Sequence, residues 1–278
     1  MKNIAVFILT HGRPINQKTL RTLRKLKYKG DIFFVCDTED NSIDDLQEKF
    51  PDIPILLFDK DKIQVDKMDN FNKQNCVVFA RNACPILAKE KGYKYYLQLD
   101  DDYEYFSIKD KVVGKDIVLR APGSFDFVVE NVIKFLESTP TVKCVALSQG
   151  GDFIGGINSS YAKKEFHRKV MNSFFCRTDN PPIFMGTINE DVNYYTNSGI
   201  KGEVNISISR LSLLQTQTQQ NKGGLTDIYL DLGTFVKSYY SAMISPSCVK
   251  VKYNKGMGRL HHEVRKNNAY VKILKCNA

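Results

Sequence analysis

No run of apolar residues in this 278-residue chain approaches the roughly 20 needed for a membrane-crossing helix. The first apolar stretch, Ile4 to Leu9, is short and runs into Thr-His-Gly-Arg without a small-residue cleavage site. It is therefore expected to be a first strand and not a secretion signal. The seven cysteines lack any C-x-x-C spacing and are odd in number, which argues against a zinc ribbon and against a secreted disulfide framework. Reduced thiols in a cytoplasm are expected. There is no G-x-x-x-x-G-K-[ST] phosphate loop and no G-x-G-x-x-G fingerprint. There is no repeat, no low-complexity segment and no linker, so one domain over residues 1–278 is expected. Acidic residues are missing from positions 1–30, and residues 248–278 are also basic.

What is present is an ordinary globular composition, 42% hydrophobic and 26% charged, with a formal net charge of +9. That excess suits a partner rich in negative charge, such as nucleic acid or a phosphorylated small substrate, although solvated surface charge explains it as simply.

The hydrophobic pattern begins as an alternation of strands and helices. Ile4 to Leu9 is a buried-strand run, and 15–30 has Ile15, Leu20, Leu23 and Leu26 near helical spacing. "DIFFVCD" is a second strand ending in Asp37, and "SIDDLQEKF" is a helix with Ser42 as its expected cap. "IPILLFD" is a third strand. "CVVFARNACPILAKEKG" reads as a helix with an expected kink at Pro85, and "YKYYLQLDDD" as a fourth strand. A helix over 126–137, a strand "VKCVALSQGG", a strand "KGEVNISIS", a helix within 226–243 and a strand "SCVKVKYN" follow. Strand–helix–strand order at this spacing implies right-handed crossovers and a parallel sheet, hence an α/β fold with a less regular second half.

The stretch "LQLDDDYEYF" carries the strongest chemical signal. Three carboxylates, Asp100, Asp101 and Asp102, stand at the end of a buried strand, where α/β sheets bind their ligands. Crowded like charges there call for a cation, and Mg²⁺ or Mn²⁺ favours oxygen ligands. Alternation lets Asp100 and Asp102 share a site while Asp101 points elsewhere. A calcium EF-hand loop starting at Asp100 would need glycine and glutamate where Tyr105 and Lys111 stand. An acidic turn capping the next segment is the plain structural alternative. "GGDFIGG" at 150–156 fits a turn or a floor under a ligand.

Taken in order, these motifs resemble the GT-A class of nucleotide-sugar glycosyltransferases. "ILTHGRP" looks like the first strand and nucleotide-contacting loop, which implicates Thr10 and Arg13. "FFVCD" looks like the second strand, whose terminal acid, Asp37, faces the base. "FARNA" looks like the helix whose arginine, Arg81, leans towards the donor. "LQLDDD" looks like the D-x-D motif, with Asp100 and Asp102 on the metal and Asp100 and Asp101 near the donor. "INEDVNYY" looks like the later motif whose aspartate, Asp191, serves as general base, with Glu190 next in line. "LHHEV" looks like the segment whose histidine, His261 or His262, completes the metal shell. The resemblance implies a Rossmann-like, mostly parallel central sheet flanked by helices. It implies a nucleotide-sugar half over about 1–106 and an acceptor half over about 107–278.

The layout is most similar to the phage and TET-associated glycosyltransferases, which act on hydroxymethylated pyrimidines in DNA. That resemblance implies a UDP-sugar or other nucleoside-diphosphate sugar as donor, Mn²⁺ or Mg²⁺ as cofactor, hydroxymethylpyrimidine DNA as acceptor partner, and a cytoplasmic setting, the host's for a phage enzyme. Lys255 or Arg259 is a further candidate phosphate contact, with solvated surface charge as the plain alternative, and Tyr103, Tyr105, Tyr194 and Tyr195 are stacking partners or core. The competing readings are a glycosyltransferase acting on a glycan, protein or small molecule, a nucleotidyltransferase, and a DNA-binding scaffold with a degenerate sugar-nucleotide fold.

Overall fold

The structure, a computed structural model, describes residues 3–70, 76–109, 116–149, 152, 158–159, 161, 163–164, 166–215, 233–255 and 258–272. The first half follows the expected alternation: β1 (Ile4–Leu9), α1 (Lys18–Lys25), β2 (Asp31–Asp37), α2 (Ile43–Lys49), β3 (Ile55–Phe58), α3 (Val78–Glu90) and β4 (Tyr95–Asp100). Strand β1 is buried along its whole length because it lies between β2 and β4, parallel to both. Its alternate residues feed two cores. Ile4, Val6 and Ile8 pack with Leu20 and Leu23 of α1 and Leu46 of α2. Ala5, Phe7 and Leu9 pack with Val78, Ala83 and Leu87 of α3. The period-2 pattern of the strand thus places helices on both faces of the sheet.

After β4 come β5 (Tyr103–Lys109), β6 (Asp116–Val118), α4 (Ser124–Ser138), β7 (Val142–Gln149), β8 (Phe166–His167), β9 (Phe174–Arg177), α5 (Glu190–Ile200) and β10 (Val204–Gln215). They are followed by α6 (Thr234–Ile244), β11 (Val249–Asn254), β12 (Arg259–Val264) and α7 (Lys266–Ala269). Among the described residues one sheet runs β3-β2-β1-β4-β9-β7-β10-β5-β6, with β8 on β10, and β11 and β12 form a separate hairpin. Strand β9 enters antiparallel between β4 and β7, so a parallel block, β3-β2-β1-β4, is joined to a mixed one.

Two local expectations are corrected. Ile15 is 65% exposed and α1 begins only at Lys18, because residues 10–17 form a loop over the strand ends. Ser42 stands at the N-cap of α2 as expected, but its side chain accepts no capping hydrogen bond. Its hydroxyl and amide both donate to Asp40 Oδ1, at 2.7 and 2.9 Å. Pro85 lies inside helix α3, as the sequence implied. Proline has no N–H to give to the carbonyl of Arg81, one turn back, and Gln98 Nε2 on β4 donates to that carbonyl at 2.9 Å instead. The cores need no staple: the described cysteines, Cys36, Cys76, Cys84, Cys144, Cys176 and Cys248, are free and buried. Cys276, the "GGDFIGG" stretch apart from Asp152, and residues 226–232 of the expected helix lie outside the described residues. No described helix is long and apolar enough to cross a membrane.

Helix α5 is seated by close backbone approach. A Cβ on Gly199 would lie 1.8 Å from the carbonyl oxygen of Ala269 in α7. Gly199→Ala is expected to lower stability by about 1–3 kcal/mol through overpacking. Urea unfolding measures it, and an unchanged midpoint would contradict the packing.

Candidate active site

The chain turns sharply after β4, and the three aspartates separate there. Thr19 at the start of α1 pins the turn: its hydroxyl donates to the Asp100 carbonyl at 2.5 Å and accepts the Tyr103 amide at 2.9 Å, and its amide donates to the Asp101 carbonyl at 3.1 Å. Asp101 points to the loop after β1, as alternation requires. It accepts from Thr10 Oγ1 at 2.8 Å and from Arg13 Nη1 at 3.0 Å. Thr10 and Arg13 are thereby engaged with a carboxylate of the protein. Asp100 Oδ1 accepts from Arg81 Nη2 at 2.7 Å. Asp102 is buried, with Gln215 Nε2 of β10 at 3.5 Å from Oδ2. Burial, then Asp100 and Asp101, push its carboxyl up to about 7.

Arg81 is the electrostatic centre of the site. It is 2% exposed, lies over the Phe174 ring at 4.9 Å, and reaches Glu190 Oε1 with Nε at 3.5 Å. Its Nη1 is buried with no hydrogen-bond partner. A buried guanidinium is stable only beside carboxylates, and here they come from two distant segments, β4 and α5. The Gln98 bond to its backbone fixes where it stands.

Glu190 and Asp191 form the first turn of α5, where the positive end of the helix favours anions. Asn189 before them takes a left-handed backbone, φ 55°. Its side chain reaches α6, donating to the Lys237 carbonyl at 2.7 Å and to Ser241 Oγ at 3.1 Å. Burial, then Asp191, push Glu190 up to about 7. Burial also raises Asp191, while the Val192 amide at 2.7 Å, Arg81, Lys237 and Lys169 pull it down.

Asp37, expected to face the base, is buried and occupied. It accepts from His11 Nδ1 at 2.7 Å and from Lys60 Nζ at 3.0 Å. Burial would raise its carboxyl, but these bonds bring it down to about 2. Asp40 accepts the Gly12 amide at 3.0 Å and completes the loop's support. His11, Asp40, Lys60, Gln98 and Lys237 had no signal as a set in the sequence. Only His11, inside "THGRP", stood in a segment already singled out.

His261 and His262 lie on β12, opposite Lys252 and Val251 of β11. Burial, then His261, Lys237 and Lys169, bring His262 down to about 4, so its imidazole is neutral, and its Nδ1 is buried without a hydrogen-bond partner. Arg259 and Lys255 are exposed. Tyr194 and Tyr195 are core residues, 2% and 3% exposed, so stacking on a ligand is excluded for them. Tyr103 is likewise buried, its hydroxyl donating to the Asn172 carbonyl at 2.6 Å, and Tyr105 is half-buried in β5. A separate cleft lined by Pro14, Ile15, Asp45, Glu48 and Lys49 carries two carboxylates, which repel a diphosphate.

Residues 4–224 match the family described as TET-Associated Glycosyltransferase. The chain belongs to that family. The matched span holds Thr10, Arg13, Asp37, Arg81, Asp100–Asp102, Glu190 and Asp191, and it ends before the hairpin with His261 and His262. No curated protein matches the chain. Among solved structures, it is similar to glucosyl-3-phosphoglycerate synthase from Mycobacterium tuberculosis in complex with Mn²⁺, UDP-glucose and phosphoglyceric acid, with a TM-score of 0.47 and 8% identity over 98% of this chain and 88% of that one. The same enzyme with Mn²⁺ and UDP-glucose gives 0.46 and 7%, with the same coverage. At such identity nothing is carried over residue by residue.

For this TET-associated glycosyltransferase a divalent cation fits the chemistry of Asp100 and Asp102. The oxygen donors are hard, and Asp102 carries charge that its neighbours oppose. Two carboxylates are enough for Mg²⁺ when substrate phosphates and waters supply the rest. Among the described residues no three His, Cys, Asp or Glu side chains converge as a metal shell.

The same charge opposition makes a stability prediction. The raised pKa of Asp102 means that its contribution is fully present below its ordinary range near 4 and is lost as pH rises through about 7. At about 1.4 kcal/mol per pH unit, the ionised group costs the native state at most about 4 kcal/mol. Asp102→Asn is therefore expected to raise the melting temperature by several degrees at pH 8 in chelator, with little gain at pH 4, and to lose turnover. Equal gains at both pH values, or near-normal activity in Mn²⁺, would contradict the assignment.

Proposed function

We propose that the protein moves a sugar from a nucleoside-diphosphate donor, a UDP-sugar first, to the hydroxymethyl group of a pyrimidine base in DNA. The reading is carried by the link Asp100–Arg81–Glu190, in which Arg81 joins a strand-end acid 19 residues on to the first turn of α5, 109 residues on. Family membership supports sugar transfer. The net charge of +9 supports a polyanionic acceptor.

In this reading Asp100 and Asp102 would hold Mn²⁺ or Mg²⁺, with the donor's phosphates and waters completing the shell, since no third His, Cys, Asp or Glu among the described residues converges on them. The cation supplies charge stabilisation to the departing diphosphate. Asp191 takes the proton of the acceptor hydroxymethyl as its oxygen bonds to the sugar's anomeric carbon. The bond from that carbon to the diphosphate breaks, and its electron pair leaves with the nucleotide. Burial raises the Asp191 carboxyl, which makes it a stronger base once ionised, while the Val192 amide, Arg81, Lys237 and Lys169 work towards the ionised form. Glu190 stays with Arg81 and orients the turn. A base inside a duplex cannot reach carboxylates this buried, so the target nucleotide is flipped out. Phe235 and Tyr239, 58% and 46% exposed on the helix of Lys237, offer rings for stacking.

The test uses DNA containing hydroxymethylcytosine or hydroxymethyluracil, a panel of nucleotide sugars, and Mn²⁺. The nucleosides are digested and weighed. One sugar mass gained on either base is expected, and DNA binding should weaken steeply with salt. Unchanged masses with every donor, together with salt-indifferent binding, would sink the DNA acceptor.

A further inference from the structure

Asp37 is too fully engaged to read a ligand. Its carboxylate holds His11 and Lys60, and it is 4% exposed. His11 is the member of this group that reaches outwards, with its side chain 39% exposed. Its Nδ1 is committed to Asp37, with Asp40 Oδ2 at 3.7 Å behind it. Its Nε2 makes no hydrogen bond to a described residue. Gly12, the next residue, has φ +65° and donates its amide to Asp40, so the loop carrying His11 is fixed at the C-terminal ends of β1 and β2. Ligands of α/β sheets bind at that edge.

We propose that His11 reads the nucleobase of the donor, giving a hydrogen bond from Nε2 to the exocyclic oxygen of uracil or guanine where cytosine and adenine carry an amino group. The inference rests on the nucleoside-diphosphate donor proposed above and names which bases that site takes. The local charges favour a base over a phosphate. Asp37, Asp40 and the more exposed Glu39, 3.2 Å from Lys60, face only His11 and Lys60, so the group stays net negative even when His11 is protonated. A diphosphate would meet two carboxylates there, whereas a neutral carbonyl meets only the imidazolium's N–H. The bond to Asp37 keeps the proton on His11 and raises its pKa, helped by the charges of Asp37 and Asp40 and opposed by burial and Lys60. Protonated, both ring nitrogens are donors. Neutral, with Nδ1–H on Asp37, Nε2 becomes an acceptor and the preference for an oxygen is lost.

The experiment compares size-matched pairs, UDP with CDP and GDP with ADP, by calorimetry in Mn²⁺ on the full chain and on His11→Ala. His11 is a surface side chain on a loop, and circular dichroism checks that the variant folds. In the unaltered protein the oxygen-bearing member of the better-fitting pair should bind on the order of 10- to 100-fold tighter, the range for a hydrogen bond to a charged group. In His11→Ala that ratio should collapse to about threefold or less, with the weaker member's affinity unchanged. Raising pH through the His11 titration, followed by its ring ¹⁵N shifts, should erode the ratio in the same way. Equal weakening of both members in His11→Ala would assign His11 to the ribose or diphosphate and overturn the inference. An unchanged ratio would also overturn it. Binding of none of the four would overturn it together with the donor reading, whereas binding without discrimination overturns it alone.

Discussion

Arg81→Met is expected to destabilise the protein by about 3–5 kcal/mol at pH 8, the range for removing one partner of a buried ion pair. Methionine fills much of the same volume, so the loss comes from charge and not from a cavity. Asp100 and Glu190 would be left without the guanidinium at 2.7 and 3.5 Å. Glu190 already titrates near 7 with Arg81 present, burial and Asp191 being the causes. Without Arg81 its pKa rises further. A raised carboxyl stabilises the native state below its unfolded pKa and loses that contribution as pH rises through the folded one. The damage should therefore be greatest at pH 8 and shrink towards pH 5. Urea unfolding at the two pH values measures this, and Arg81→Met with Glu190→Gln should recover part of the loss at pH 8. A loss below about 1 kcal/mol at pH 8, or the same loss at both pH values, would mean that Arg81 is not the counter-charge of this site.

Asp191→Asn is expected to lower kcat by on the order of 10²–10⁴, the usual contribution of a general base. Donor and metal affinity should be retained, since the proposed reading puts those contacts at the ends of β1, β2 and β4. Glu190 cannot replace the missing base while it is held by Arg81. The fold should persist, because the substitution removes a charge that burial disfavours and asparagine still accepts from the Val192 amide. Calorimetry with the preferred nucleotide sugar and single-turnover transfer to hydroxymethylated DNA separate binding from chemistry. A variant that loses donor affinity with unchanged chemistry would move Asp191 into the donor site.

Strands β1 to β4 and the helices between them were legible because each element buries a continuous stripe or run, and periodicity reports burial directly. The strand-end acids were legible because charge beside an apolar run is conspicuous, whereas the Glu190–Asp191 pair came only from the resemblance of "INEDVNYY" to a family motif. Strands β5, β6, β8 and β9 left little trace. Strand β9 is four residues, "FFCR", and only its insertion between β4 and β7 makes it a strand. Hydrogen-bond partners far apart in sequence leave no local period. The same holds at the site. The sequence by itself determined an α/β chain with acids at one edge of its sheet and a second acid pair far downstream. Only the tertiary structure decided that Arg81 answers Asp100 and Glu190 together, that Asp37 is consumed by His11 and Lys60, and that Tyr194 and Tyr195 are core. The physical reason is that ionisation and hydrogen-bonding capacity depend on which groups share a buried volume, and residues 81, 100 and 190 share one only when β4, α3 and α5 have packed.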